Sequence, residues 1–111
     1  GNTREITNIF TAPYKTYDLE GEIQEDMSYI ALTLNREGDN RGFYVIRMEP
    51  GAETIAHTHG GNEDYLIIEG DLIEPDGTVL GPGDFVHQDP GTHHNSRTEN
   101  GCLLIGFDWK G

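Results

Sequence analysis

Apolar and polar residues alternate along much of the chain with a period of two, and no segment repeats with the helical period of 3.6 residues. Alternation is typical of β-strands with one buried face, because successive strand side chains point to opposite faces. It is clearest at 28–34 and 43–49, which flank a turn cluster at 35–42. Turn-forming residues recur about every eight to twelve positions, and the pattern therefore predicts an all-β sandwich or barrel.

Further strands are shorter or more evenly apolar. Two of them, 65–68 and 103–109, are apolar on both faces, so each needs a cover on its outer side, either the N-terminal arm or a second subunit. We therefore expect a homodimer, and we expect Phe107 and Trp109 to pack in the core. Residues 1–12 are expected to form an N-terminal arm or edge strand, and the other predicted strands are 72–73, 78–80, 84–88, 93–98 and 102–109.

The stretch Gly51 to Gly70 places His57, His59 and Glu63 between two apolar runs. In a strand, a His-x-His pair puts both imidazoles on one face. A turn at 60–62 follows, so the next strand can aim the Glu63 carboxylate back at the imidazoles. Imidazole and carboxylate ligands suit Zn, Fe, Mn, Ni or Cu better than Mg or Ca. The stretch predicts a metal site, and the alternative is a chance grouping of surface side chains on a hairpin.

The spacing of five residues in this stretch resembles the first signature motif of the cupin superfamily at every fixed position. The five are Gly51, His57, His59, Glu63 and Gly70. By that resemblance, the chain is expected to form a double-stranded β-helix, the jelly-roll cupin barrel, as a single domain over residues 1–111.

A second cupin motif is matched in part. Gly83, Gly91 and His94 occupy its positions, whereas Asp89 stands where proline is usual and Thr98 where asparagine is usual. Neither departure touches a ligand. The resemblance thus implies that one divalent transition metal ion (Fe, Zn, Mn or Ni) is bound by four ligands, namely His57, His59, Glu63 and His94.

His93 and His94 are adjacent, so in a strand they cannot both point into a barrel. Counting two residues on from Gly91, as the cupin motif does, selects His94 as the ligand and leaves His93 outside. The same alternation turns residues 96 and 98 inward and residues 95 and 97 outward. A slip of one residue at the displaced Pro90 would instead bring His93 inward.

Two functions are compatible with this ligand set. With an octahedral ion, two positions stay open, and the chain resembles small cupins that are non-haem metal dioxygenases or related enzymes, in which an organic substrate chelates Fe(II) and O₂ attacks it. The alternative is a non-catalytic zinc-binding sensor or small-molecule-binding regulatory module. Residues 90–94 and 101–104 resemble the cupin domain of zinc-binding anti-sigma factors.

Two other side chains are candidates for a catalytic role. Tyr65 lies two residues past Glu63, so it shares the inward face and is either a ligand contact or an ordinary core tyrosine. His87 lies on the strand before the second motif, where it is either catalytic or a structural group.

The net charge of the chain limits the classes of partner that we expect. Twenty acidic and seven basic residues give a net charge of −13, which argues against nucleic acid and anionic membrane surfaces. Between Arg47 and Arg97 there is no Lys or Arg but there are ten carboxylates, so the basic clamp of a sugar-nucleotide epimerase is missing. A small-molecule ligand is expected instead.

The remaining composition points to an intracellular protein. No stretch approaches the ~20 apolar residues that cross a membrane. Cys102 is the single cysteine, so no internal disulfide is possible, and its apolar setting predicts a buried, inert thiol. We expect a cytoplasmic protein.

Overall fold

The computed structural model describes residues 3–58 and 60–110, and for His57 it describes the backbone alone. These residues contain strands and turns but no helix, which confirms the predicted all-β class. Accordingly, the described chain has no helix long and apolar enough to span a membrane. The strands are β1 Lys15–Tyr17, β2 Gln24–Ile30, β3 Gly42–Met48, β4 His57–Thr58, β5 Asn62–Gly70, β6 Leu72–Ile73, β7 Val79–Leu80, β8 Phe85–Gln88, β9 His93–His94 and β10 Cys102–Trp109.

The main element is a six-stranded sheet in the order β1-β2-β3-β10-β5-β8, in which every neighbouring pair is antiparallel. Two short pairs, β4-β9 and β6-β7, complete the jelly roll. Isolated bridges from Arg97 to Glu53 and to Ile73 join the segments between them. The central position of β10, between β3 and β5, makes the inward faces of these three strands one continuous wall.

The core is built on the inward faces that alternation predicted. Tyr44, Ile46 and Met48 of β3 are all buried, and Cys102 and Leu104 of β10 pack in the same cluster. Burial raises the pKa of the Cys102 thiol to about 12, so it stays protonated at neutral pH. The expected buried thiol is thus confirmed.

Two predicted strands end earlier than expected, and the N-terminal residues show one of the two expected forms. The strand expected at 28–34 is β2, which stops at Ile30, because the N–H groups of Thr33 and Leu34 both donate to the carbonyl of Phe43 and so leave the regular ladder. The strand expected at 93–98 shortens to β9 plus the isolated bridges of Arg97. Residues 3–12 form an arm without strand structure.

The expectation that Phe107 and Trp109 pack in the core is wrong. Cys102, Leu104 and Gly106 face inward, and alternation therefore turns Phe107 and Trp109 outward. Phe107 stacks on Phe43 with 4.3 Å between ring centroids, and on Trp109 with 6.5 Å. In a strand that is apolar on both faces, the sequence pattern does not show which face lies inside.

One carboxylate ties the end of β5 to the segment before β10. Asp71 accepts hydrogen bonds from the Thr98 hydroxyl (3.0 Å), the Glu99 N–H (2.9 Å), and the N–H and side-chain amide of Asn100 (3.1 and 2.8 Å). The hydrogen bond from the Glu99 N–H, helped by those from Asn100 and Thr98, lowers the pKa of Asp71 against the opposing effect of desolvation. The ionised form is therefore the one that the fold stabilises.

We predict that Asp71→Asn lowers stability at pH 7 by about 1 kcal/mol, because an amide NH₂ would face hydrogen-bond donors. Since the folded-state pKa lies below the unfolded value, this stabilisation is present above the unfolded pKa and is lost as pH falls through the folded pKa. Melting temperatures of both proteins from pH 7 to pH 2 should converge in acid. Glu69→Gln, at an exposed carboxylate nearby, is the control, and a pH-independent gap would contradict the prediction.

Candidate metal centre

The short pair β4-β9 and the start of β5 bring three of the four predicted ligand positions together. Pairing of β4 with β9 sets His57 opposite His94 in the backbone register, and Glu63 opens the inward face of β5. His59 lies outside the described residues, and the His57 side chain is not described. The side-chain geometry of the centre is therefore that of Glu63 and His94.

Glu63 and His94 converge on one point. Glu63 Oε1 lies 3.3 Å from His94 Nε2, and the side chains are only 11% and 10% exposed. Two ligand atoms bound about 2.1 Å from one ion lie about 3.0 Å apart at a right angle and about 3.4 Å apart at a tetrahedral angle. The observed separation fits adjacent ligands of a single ion as well as a direct ion pair. Among the described side chains there is no group of three possible ligands, and the set of four ligands stays a prediction.

Tyr44 fixes the Glu63 carboxylate through the oxygen that does not face His94. Its hydroxyl donates to Glu63 Oε2 at 2.8 Å and lies 3.3 Å from Asp108 Oδ1. Burial, followed by the charges of Glu63 and Asp108, raises the pKa of Tyr44 well above its ordinary value. Tyr44 therefore remains a hydrogen-bond donor, which fixes the rotamer of Glu63 and leaves Oε1 facing His94.

The His94 imidazole is protonated on both nitrogens near neutral pH when no ion is bound. Hydrogen bonding to Glu63 and then to Glu74 raises its pKa to about 9, against the lowering effect of burial. An ion bound at Nε2 would take the place of a proton there, so binding becomes weaker as pH falls.

The adjacent histidines face opposite ways. His94 lines the inner cavity, whereas His93 is exposed and its Nδ1 lies 2.8 Å from the Thr58 hydroxyl. Ser96 and Thr98, on the same side as His94, are 5% and 2% exposed. The count from Gly91 thus predicted the orientation of the second motif, and the role of His94 as a ligand stays a prediction.

The two predicted catalytic candidates lie on opposite sides of the sheet. Tyr65 is buried, and its ring is nearly parallel to His94 at an interplanar angle of 5° and a centroid distance of 6.4 Å. Its hydroxyl donates to Glu74 at 2.6 Å, and burial together with this bond raises the pKa of Tyr65. His87 is exposed and hydrogen-bonds Asp64 and Asp89, so it contacts neither Glu63 nor the cavity.

Glu74 is a site residue that the sequence did not reveal. It follows β6, only 11% of its side chain is exposed, and its Oε2 lies 3.5 Å from His94 Nδ1. Along the chain it resembles the other carboxylates of an acidic segment and precedes an ordinary turn. The β6-β7 hairpin and the bridge between Ile73 and Arg97 bring it to His94, and no local pattern encodes that fold-back.

A cavity of about 300 Å³ opens beside Glu63 and His94. Besides several tyrosines, its apolar lining includes Leu34, Ile46, Met48, Leu72 and Leu104.

The charged groups around this cavity are mostly acidic, namely Glu20, Asp39, Glu63 and Asp108, against Arg41 and, when no ion is bound, the protonated His94. Arg41 precedes the segment without basic residues and reaches the cavity by lying over Gly61, where any Cβ would collide with the guanidinium. The lining favours a neutral or cationic molecule over a phosphate.

Solved structures with the same fold include proteins of different functions. The chain is similar to a chain in the structure of Rhodobacter sphaeroides SigE bound to the anti-sigma ChrR, with 16% identity and a TM-score of 0.74, over 92% of this chain and 52% of that one. It thus spans about half of that relative. Acetylacetone dioxygenase from Acinetobacter johnsonii matches with 13% identity and a TM-score of 0.74, over 97% and 76% of the two chains. The polyketide cyclase RemF from Streptomyces resistomycificus matches with 18% identity and a TM-score of 0.74, over 96% and 79%.

At these identities the structural likeness establishes the cupin jelly roll alone. A search among curated proteins found no match. A family model described as the ChrR cupin-like domain matches residues 20–110. Since this match covers most of the sequence, the chain belongs to the ChrR cupin-like domain family.

Proposed function

We propose that this protein binds one divalent transition metal ion through His57, His59, Glu63 and His94 and is a non-haem metal dioxygenase for a small organic substrate. The observation that carries the proposal is the convergence of Glu63 and His94, 3.3 Å apart, beside a cavity of about 300 Å³. A ligand set buried next to a cavity leaves an ion accessible to a second molecule. A purely structural ion has no need of such access.

The chain's residues would have distinct tasks. An iron-type ion, when bound, supplies the electrons and open positions that O₂ chemistry requires. Tyr44 keeps Glu63 turned toward His94, and the apolar wall excludes water from the reacting molecule. The surplus of carboxylates in the lining disfavours a substrate that arrives as an anion.

Family membership favours a second candidate. The matching family model is named for ChrR, which is described as an anti-sigma factor in its complex with SigE. In this alternative, the same four residues close around zinc, and the domain is a non-catalytic sensor or small-molecule-binding module. The two candidates differ in whether Fe(II) confers O₂ consumption.

The deciding experiment starts with elemental analysis of the purified protein. The protein is then stripped and reloaded with Fe(II), Mn(II), Ni(II) or Zn(II), and O₂ uptake is measured with β-diketones and dihydroxylated aromatics. We expect one ion per chain and substrate-dependent uptake with Fe(II). Stoichiometric zinc, with no uptake after Fe(II) reloading, would reject the dioxygenase and favour the sensor.

The two adjacent histidines provide a matched pair of variants. His94→Ala removes an inward ligand, so we predict that metal affinity falls by more than the ~100-fold typical of losing a group that only supports a ligand. His93→Ala removes an exposed ring and should leave affinity unchanged. Competition with a chromophoric chelator measures both. The reverse order would show that the second motif is out of register.

We also propose that the protein is a homodimer in which a second copy covers the outer face of the sheet. Phe43 lies on this face, 44% exposed, and stacks on Phe107, which in turn stacks on Trp109. Phe85, 62% exposed, lies on the same face at the edge strand β8. Contiguous exposed aromatic surface is typical of protein interfaces.

We predict that the wild-type protein sediments as a dimer at micromolar concentration, and that Phe43→Glu produces a monomer by placing a charge in the interface. Val79→Glu is the control, because Val79 is 64% exposed but lies on β7, outside the six-stranded sheet. A monomeric wild type would overturn the proposal.

A further inference from the structure

We propose that Glu74 is a positioning residue, which orients the His94 imidazole so that Nδ1 carries the proton and Nε2 is presented to the metal. The inference rests on the proposed metal site and adds a residue outside its ligand set. Glu74 would touch neither the ion nor the substrate and would act through His94.

The two nitrogens of His94 face two different carboxylates. Nε2 lies 3.3 Å from Glu63 Oε1, and Nδ1 lies 3.5 Å from Glu74 Oε2, an ion-pair distance at the long limit of a hydrogen bond. Both carboxylate side chains are 11% exposed. The ring is therefore held between Glu63, on the ligand side, and Glu74, on the opposite side.

Glu74 is itself fixed by two hydroxyl groups. Tyr65 donates to Oε1 at 2.6 Å and Ser96 donates to Oε2 at 3.0 Å, while Gln88 donates to the Tyr65 oxygen at 3.3 Å. Both carboxylate oxygens of Glu74 therefore act as hydrogen-bond acceptors.

Since both oxygens of the Glu74 carboxylate accept hydrogen bonds from hydroxyl groups, a neighbouring nitrogen that bonds to it has to donate. For His94 this places a proton on Nδ1. A neutral imidazole has a single N–H, and the lone pair then lies on Nε2, beside Glu63. In the other tautomer, Nε2–H would point at Glu63 and offer no lone pair to an ion. A carboxylate on the far nitrogen also makes the imidazole a better ligand.

In this arrangement Tyr65 supports His94. Its one hydroxyl proton is donated to Glu74, and its ring lies parallel to His94. Tyr65 therefore supports His94 twice, through the carboxylate and through ring contact, and it has no free proton for a substrate.

The test compares Glu74→Gln with the wild type in Zn(II) affinity, measured by chelator competition on protein shown by circular dichroism to be folded. Glutamine keeps the size of the side chain but places an NH₂ group beside hydrogen-bond donors. His94 Nδ1 can then accept a hydrogen bond from this NH₂, which leaves the ring proton on Nε2. We expect Zn(II) binding to weaken about 10- to 100-fold, as is usual when the partner of a ligand is lost.

Asp71→Asn is the matched control, because Asp71 also accepts several hydrogen bonds but contacts no predicted ligand. It should lower stability and leave Zn(II) affinity unchanged. A second readout is the ¹⁵N spectrum of the zinc-loaded protein. The wild type should show His94 with a slowly exchanging Nδ1–H and a metal-bound Nε2, and Glu74→Gln should show faster exchange or a mixture of ring states.

The outcomes separate the two proposals. If the wild type binds Zn(II) and Glu74→Gln binds it equally well with an unchanged ¹⁵N spectrum, the positioning role is wrong and the metal site stands. If the wild type binds no divalent ion, the metal site is wrong and the role of Glu74 falls with it. Equal weakening in Glu74→Gln and Asp71→Asn would reduce Glu74 to a structural residue.

Discussion

Burial of the Glu63 carboxylate is the constraint on which the centre depends. A buried charge is costly unless it is paired and hydrogen-bonded, and here the Tyr44 hydroxyl and the His94 ring provide both. Tyr44 has its place because Gly106 lies opposite, where any Cβ would collide with the tyrosine ring. A bare glycine on β10, a tyrosine on β3 and a carboxylate on β5 thus form one chain of contacts ending at His94. Three strands distant in sequence must be in register for the site to exist.

Those parts of the fold that have one buried face could be predicted from the sequence. Alternation located β3 to within one residue at each end, because this strand has an inward row that water cannot reach, whereas β10 was located as an evenly apolar run after a turn. A period of two also allows only one of His93 and His94 to face the cavity, and the count from Gly91 selected His94. The metal ligands themselves came from motif spacing and remain predictions, because geometry is described for only two of the four side chains, Glu63 and His94.

The features that escaped prediction depend on contacts between distant segments. Phe107 and Trp109 lie on a strand that is apolar on both faces, so their outward direction is set by the neighbouring strands. Glu74 and Arg41 look like ordinary surface charges, and only the fold-back of a hairpin and of a loop brings them to the site. Positioning groups of this kind have no motif, because their partners are supplied by tertiary structure.

We propose that three imidazoles and the Glu63 carboxylate hold one divalent ion beside the cavity. X-ray absorption spectroscopy of the zinc-loaded protein tests it most directly, because imidazole rings produce a characteristic multiple-scattering pattern that can be counted. We expect a shell of nitrogen and oxygen atoms at about 2.0–2.2 Å, with three imidazoles per ion and no sulfur. A single imidazole, or a sulfur ligand at about 2.3 Å, would contradict it.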